Sequence, residues 1–458
     1  MTRVSVVGLG KLGACMAVCF AHKGLPVTGV DVSQKTIELV NSGQPPVFEP
    51  GLPEMIAKVR DRLWATGDYD RAIKDSDVTF IVVPTPSEDH GGFSLKYVNQ
   101  AALQIGHALK NKTGYHLIVL TSTVLPGSTE LGVKPALEEA SGKRCGKDFG
   151  LCYSPEFIAL GSVIRDFLNP DFALIGEADA AAGDRLAGIY ATLFDNHPPI
   201  ARMSLVSAEV TKIALNTYVT TKISFANLLA EVCERLPGAD VDVVTSALGL
   251  DSRIGHKYLR GALGYGGPCF PRDNIAFSFL LEQIGVPADL PRTVDRVNRR
   301  QAQRVVALAR SALGNRGGKV GVLGLAYKPL TNVVEESQGI EIARSLASDG
   351  VKVLAYDPAA MGEARKVLRD SVGYADSIEE CVEQAEVVIV ATPWPEFEAS
   401  ALQRGNPSTK HVIIDGWRVL RTRCGVAANY VGIGLGRPDA NNQSRLQEFV
   451  DRILGRKK

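Results

Sequence analysis

The chain has 458 residues, 45% of them hydrophobic and 22% charged, with 51 basic against 50 acidic side chains. That length exceeds what one hydrophobic core supports, so two or three domains are expected, and the apolar content excludes a disordered chain. A net charge of +1 leaves no footprint for a nucleic acid or a membrane surface, and with neither an apolar run of about 18 residues nor a cleavable leader the expected location is cytoplasmic.

The first element is the apolar run Val4 to Val7, which predicts a strand. It leads into Gly8-Leu9-Gly10-Lys11-Leu12-Gly13 and a helix of small residues, and a second strand, Val27 to Val30, ends at Asp31. Strand, glycine turn, helix, strand and acid in that order form a dinucleotide-binding unit. Gly8 makes the turn, Gly10 admits a pyrophosphate, Gly13 lets the helix pack on the strand, and Asp31 takes the ribose hydroxyls. A carboxylate there repels a 2′-phosphate, so NAD is expected rather than NADP. The alternative is a glycine-rich turn without a nucleotide.

Further strands are expected at Val78 to Pro84, Leu117 to Thr123, Gly150 to Ser154 and Phe172 to Gly176, with helices such as Leu95 to Leu109 between them. This alternation predicts a doubly wound sheet whose carboxyl-end loops line a site. Three of those loops are polar or rigid: Pro84-Thr85-Pro86, Ser122-Thr123-Val124 and Ser154-Pro155-Glu156-Phe157.

From about Ser207 to Gly314 the pattern becomes helical. The segment Glu209 to Leu236 contains neither Gly nor Pro and predicts one long helix, on which Lys212 and Asn216 share a face. A cation and an amide donor there suit an oxyanion; the bland reading is a solvated face. A second helix, Leu290 to Leu313, carries Arg292, Arg296, Arg299, Arg300, Arg304 and Arg310, a run that a solvated or interface face explains.

Between those helices stands Gly261-Ala262-Leu263-Gly264-Tyr265-Gly266-Gly267-Pro268-Cys269-Phe270-Pro271-Arg272-Asp273. Its four glycines are expected to bring the backbone close to a ligand, and Pro268 and Pro271 to fix the direction of the Cys269 sulfur. Pro271 is placed to open a helix, so Cys269 sits where the dipole and unpaired amides favour a thiolate, with Asp273 one turn further on. A packing cysteine in a glycine-rich turn is the alternative. The other cysteines, Cys15, Cys19, Cys145, Cys152, Cys233, Cys381 and Cys424, form no CxxC pair, and Cys15 and Cys19 read as small core residues. No histidine pair has ligand spacing, so no metal is expected.

A third region opens with Val320-Gly321-Val322-Leu323-Gly324-Leu325 and continues through strands Val351 to Tyr356, Val387 to Ala391 and Val412 to Asp415. It is a second parallel α/β unit whose glycine motif is incomplete, because Tyr327-Lys328-Pro329 replaces the last glycine. Lys328 at the mouth of such a sheet can meet a phosphate or a sugar hydroxyl, so a second nucleotide-bearing ligand is expected here.

With Glu49-Pro50-Gly51-Leu52, Val83-Pro84-Thr85-Pro86, Arg253-Ile254-Gly255 and Gly324-Leu325-Ala326-Tyr327-Lys328-Pro329 added to the motifs above, the chain resembles, over nearly its whole length, the nucleotide-sugar 6-dehydrogenase family typified by UDP-glucose and GDP-mannose dehydrogenases. The resemblance implies two Rossmann-like doubly wound parallel-sheet domains, at 1–203 for NAD and 315–458 for the nucleotide sugar, joined by a helical domain at 204–314 that carries the dimer contact. It implies oxidation of a sugar C6 alcohol to a carboxylate with two NAD, UDP-glucose being favoured over UDP-N-acetylhexosamines and GDP-mannose. Cys269 would add to the aldehyde and pass through a thioester, with Lys212 and Asn216 on the oxyanion, Thr123 and Glu156 orienting water, and either Lys212 or a water held by Asp273 and Glu156 as first base.

The same resemblance assigns NAD contacts to Gly8, Gly10, Lys11, Leu12, Gly13, Asp31, Lys35, Pro84, Thr85, Ser122, Thr123 and Glu156. Substrate contacts fall to Phe157, Lys212, Asn216, Tyr258, Leu259, Arg260, Gly266, Tyr327, Lys328 and Arg418, and to Arg253 reaching the sugar in a neighbouring subunit of a homodimer or larger homo-oligomer. The chain departs from the family pattern at Leu160-Gly161, where Glu-Gly is common, at Glu335, which reverses a usual arginine charge, at Pro268 and at Trp417. Two other classes stay open: a hydroxyacid dehydrogenase of the 6-phosphogluconate type, against which the Cys269 loop and third domain argue, and a silent NAD-binding scaffold, against which Cys269, Lys212, Asn216 and Asp273 together argue.

Overall fold

A computed structural model describes residues 1–314, 317–399, 411–421, 429–437 and 439–456; Cys424 lies outside them. The chain forms two compact units, residues 1–215 with 279–286, and residues 216–278 with 287–458.

The first unit is built on eight strands: β1 (Val4–Val7), β2 (Val27–Val30), β3 (Leu63–Thr66), β4 (Val78–Ile81), β5 (His116–Leu120), β6 (Phe149–Tyr153), β7 (Ala173–Glu177) and β8 (Ile200–Ser204). Their order is β3-β2-β1-β4-β5-β6-β7-β8. All neighbours are parallel except β6 and β7, which meet over Cys152↔Glu177 and Tyr153↔Gly176, so the expected parallel sheet ends in two reversed strands. The inner strands β1, β4, β5 and β6 are buried along their whole length, as strands covered on both faces must be. Helix Gly13–His22 is made of residues small enough to sink entirely; Gly13 to Ala21 are all buried.

The second unit holds six strands, β9 (Lys319–Leu323), β10 (Lys352–Tyr356), β11 (Gly373–Tyr374), β12 (Val387–Val390), β13 (Val412–Asp415) and β14 (Tyr430–Gly432), in the order β11-β10-β9-β12-β13-β14, all parallel. In both sheets the strand order reverses beside the first strand, between β1 and β4 and between β9 and β12, which is where such sheets open a crevice for ligands. Helix Asp289–Leu313 packs Ala302, Val305, Val306 and Ala309 into the same core as Val320, Val322 and Ile340. Four arginines outside that stripe pair with acids, Arg299 with Asp295 at 2.8 Å, Arg300 with Glu231 at 2.8 Å, Arg304 with Glu234 at 2.6 Å and Arg310 with Asp349 at 3.1 Å. The long helix spans Leu205–Arg235, four residues earlier at its start than the sequence suggests. No helix among the described residues is long and apolar enough to cross a membrane.

Candidate active site

The glycine turn after β1 separates what the fold requires from what a ligand requires. Gly8 has φ +95°, and a Cβ there would stand 2.5 Å from the Val82 carbonyl oxygen; one on Gly13 would stand 1.9 Å from that of Gly8. A Cβ on Gly10 would meet no protein atom within 4 Å. Gly8 and Gly13 are therefore demanded by the backbone, whereas Gly10 leaves space on the outer side of the turn. That space adjoins the N-terminus of helix Gly13–His22, where no side chain caps the first amides. Asp31 accepts the Leu9 N–H at 2.7 Å and the Ser33 N–H at 2.8 Å, one on each oxygen, so lone pairs remain for two ribose hydroxyls. Lys11, in this turn, and Lys35, on helix Gln34–Asn41 after β2, are exposed, and Leu12 is half-buried. The residues fit a dinucleotide.

Across the strand reversal, two hydroxyls tie the ends of β4 and β5 together. Thr85 Oγ1 donates to the Thr123 carbonyl at 2.8 Å and Ser122 Oγ to the Val83 carbonyl at 2.7 Å, so Pro84, Thr85, Ser122 and Thr123 form one rim. Behind it Glu209, fully buried, accepts from Gly127 N–H, Thr129 N–H and Thr129 Oγ1 at 2.6, 2.8 and 2.6 Å, anchoring the segment that follows Thr123. The sequence marks Glu209 only as an acid among Leu205, Val206, Ala208 and Val210 at the start of a helix.

One turn beyond Glu209, Lys212 is buried and donates to the Glu156 carbonyl at 2.7 Å, its ammonium 4.7 Å from the centre of the Phe157 ring. The half-buried Glu156 carboxyl is pushed up to about 8 by burial, with the Lys212 charge pulling the other way. Glu49 holds the next segment by accepting from Gly161 and Val163 N–H, both at 2.8 Å.

In the second unit Cys269 is exposed and immediately precedes helix Phe270–Gln283, which starts one residue before Pro271 rather than at it. The Cys269 carbonyl accepts the Asp273 N–H at 2.8 Å, and buried Asp273 accepts from Asn216 Nδ2 at 2.6 Å. Cys15, Cys19, Cys152, Cys233 and Cys381 are buried, and burial raises each of those thiols. The glycines of the Cys269 loop do not do what the sequence suggests. A Cβ would come within 2.5 Å of the Ala226 carbonyl oxygen at Gly261, 2.5 Å of Asn298 Oδ1 at Gly264, 2.3 Å of the Glu336 carbonyl oxygen at Gly266 and 2.5 Å of the Tyr327 ring at Gly267. The closeness they provide is to the protein itself.

The remaining substrate candidates are distributed differently. Tyr258 is exposed at φ +62° and Leu259 is buried. Arg260 donates to the Trp417 carbonyl at 2.9 Å, while Tyr327 and Lys328 are half-buried with the ammonium 5.9 Å from the tyrosine ring centre. Arg253 is exposed and pairs with Asp251 at 2.6 Å. Arg418 is turned inward: Nε and Nη2 each donate to Asp242 at 2.7 Å and Nη1 to the Ile433 carbonyl at 2.6 Å. The turn after β9 is more complete than its sequence suggests. Gly324 has φ +101°, and a Cβ on Gly339 would stand 2.0 Å from the Gly324 carbonyl oxygen, so Gly339 takes the part of the missing glycine after residues 327–337 loop out. Asp357, the counterpart of Asp31, is 1% exposed and accepts from Leu325, Ala326, Ala359 and Ala360 N–H and from Trp394 Nε1 at 2.7 to 3.1 Å.

Comparison with known proteins gives a consistent match. Profiles of the UDP-glucose/GDP-mannose dehydrogenase family fit residues 2–194 (NAD binding domain), 206–300 (central domain) and 321–422 (UDP binding domain). The chain is 38% identical to UDP-glucose 6-dehydrogenase AglM of Haloferax volcanii over 92% of its own length and 98% of the relative's. It is 33% identical to a GDP-mannose 6-dehydrogenase of Pseudomonas putida over 90% and 95%. Among solved structures it is similar to a UDP-glucose dehydrogenase from Pyrobaculum islandicum, with TM-score 0.87 and 39% identity over 95% of this chain and 98% of that one.

Proposed function

Because the chain belongs to the UDP-glucose/GDP-mannose dehydrogenase family, and so is an NAD-dependent oxidoreductase of nucleotide sugars, we propose that it carries the C6 alcohol of UDP-glucose through the aldehyde to the carboxylate. The observation that carries this reading is Cys269, an exposed thiol just before a helix whose first turn holds the buried Asp273, itself bonded to Asn216 of helix Leu205–Arg235. Similarity to UDP-glucose dehydrogenases, at up to 39% identity over 90% or more of the chain, supports the sugar; GDP-mannose dehydrogenases, at up to 36%, make that the second reading.

Bound NAD supplies the hydride acceptor for each of two oxidations, and the Gly10 space, the helix N-terminus and Asp31 would hold it. Glu156, ionised, takes the C6 hydroxyl proton. The Cys269 thiolate then forms a C–S bond with the aldehyde carbon, and the carbonyl oxygen becomes an alkoxide that Lys212 and Asn216 stabilise. Asn216 has a donor for this, since a carboxamide carries two N–H groups and Asp273 takes one. Once the second hydride has left, the carbon is a thioester. Water adds, the C–S bond breaks, the sulfur leaves as thiolate and the product is the carboxylate, so one water and two NAD are consumed per sugar.

Part of the central helix suits a second copy of this chain. Tyr218, Phe225, Leu228 and Val232 are 64%, 50%, 44% and 44% exposed and, at spacings of seven, three and four, form one apolar stripe.

The test is stoichiometric. Two NADH per UDP-glucose are expected, with kcat/KM for UDP-glucose above those for GDP-mannose and UDP-N-acetylhexosamines. Cys269→Ser is expected to bind both ligands while turnover falls by about 10³-fold or more, a hydroxyl being a poor nucleophile without an adjacent base. One NADH per sugar, or near wild-type turnover in Cys269→Ser, would overturn the covalent route; a preference for another nucleotide sugar would overturn only the substrate.

A further inference from the structure

Among the described residues, the loop that presents Cys269 pairs with no strand, and two buried asparagines take that part. Asn227, on helix Leu205–Arg235, accepts the Ala262 N–H at 2.8 Å and donates to the Leu263 carbonyl at 3.1 Å. Asn298, on helix Asp289–Leu313, accepts the Tyr265 N–H at 2.7 Å and donates to the Tyr265 carbonyl at 2.9 Å. Asn227 is 0% and Asn298 5% exposed, so neither can exchange these partners for water. A carboxamide that gives and receives at once fixes register as a strand would, because a slip of one residue breaks the whole set. The glycines make the approach possible: Gly264 lies against Asn298 Oδ1, where a Cβ would come within 2.5 Å.

Beyond Tyr265 the support continues without a gap. Gly267 N–H donates to the Glu335 carbonyl at 2.9 Å, Gly266 lies under the Glu336 carbonyl and Gly267 under the Tyr327 ring. Two residues later comes the sulfur. We propose that Asn227 and Asn298 are positioning residues for the Cys269 thiol, acting through the main chain of residues 262–267 rather than by touching a ligand. The inference rests on the reading of Cys269 as the nucleophile.

The test compares Asn298→Ala, Asn227→Ala and the milder Asn298→Gln, which keeps both the acceptor for the Tyr265 N–H and the donor to its carbonyl on an arm one methylene longer. In Asn298→Ala and Asn227→Ala kcat is expected to fall roughly 10- to 100-fold, the scale of a displacement of about 1 Å at a reacting atom, with the KM for NAD unchanged. The pH-dependent rate of Cys269 alkylation by iodoacetamide should change in parallel, and Asn298→Gln should lie between Asn298→Ala and wild type. Wild-type kcat and alkylation profiles in both alanine variants would overturn the proposal. So would kcat, NAD affinity and thermal midpoint all declining together, which marks a merely structural role. Should the alanine variants not fold, Asn298→Gln carries the same comparison. An active Cys269→Ser would sink the nucleophile reading itself; a dead Cys269→Ser beside an unaffected Asn298→Ala sinks only the positioning.

Discussion

Glu156 is a carboxyl on which two opposed effects act, and burial wins over the nearby Lys212 charge, holding it near 8 instead of the ordinary 4.5. It is therefore largely protonated at neutral pH and becomes a base as pH approaches 8. We expect kcat/KM to rise about tenfold per pH unit up to that region, and Glu156→Gln to lose both the limb and roughly 10²- to 10⁴-fold in rate. A pH–rate profile that is flat from 6 to 8 would remove Glu156 from the proton path. Folding takes up a proton at this group between pH 4.5 and 8, so its contribution to stability declines as pH rises through that window. The residues of this site were legible, since Ser154-Pro155-Glu156-Phe157 and Lys212 stand out in the sequence. Their environments were not. Burial of Glu156, the anchoring by Glu209 and the use of Gly264 and Gly266 against protein atoms all depend on segments distant in the chain.

At the scale of elements, the strands the sequence reading missed are β3, β8, β11 and β14, and each is the edge of its sheet. An inner strand announces itself as a mostly apolar run because both faces are covered. An edge strand such as Ile200–Ser204 is only partly covered, and its Arg202 and Ser204 conceal it. Strand β5 shows the cost of burying a polar residue inside. His116 opens it, wholly buried, with Nε2 2.7 Å from Thr79 Oγ1, which in turn bonds Ser5 Oγ at 2.6 Å. Burial, with the Lys112 charge adding to it, holds the imidazole down at about 3 against an ordinary 6.5. Below pH 6.5 the unfolded chain binds a proton that the folded one refuses, so stability falls with pH by up to ~1.4 kcal/mol per unit until about pH 3. His116→Gln, which keeps a partner for Thr79 and does not titrate, is expected to flatten the fall in thermal midpoint between pH 6.5 and 4. An unchanged slope would show that other groups govern it.

At the scale of the whole molecule, the stripe through Phe225 and Leu228 gives a simple expectation for assembly. Wild-type protein should run as a dimer or larger in light scattering, and Phe225→Asp with Leu228→Asp should reduce it to single chains, because burying two unpaired carboxylates costs more than such an interface gains. Single chains in the wild type would discard the stripe as an interface. The two sheets share a strand order and a glycine turn, yet they end differently: Asp31 keeps lone pairs to offer, and Asp357 is stopped up by five donors, one of them the indole of Trp394. On the proposed four-electron route, Asp31 would then serve one two-electron carrier at a time, and the half-oxidised sugar would have to stay aboard while that berth is cleared and filled again, with the proposed sulfur–carbon bond as its mooring.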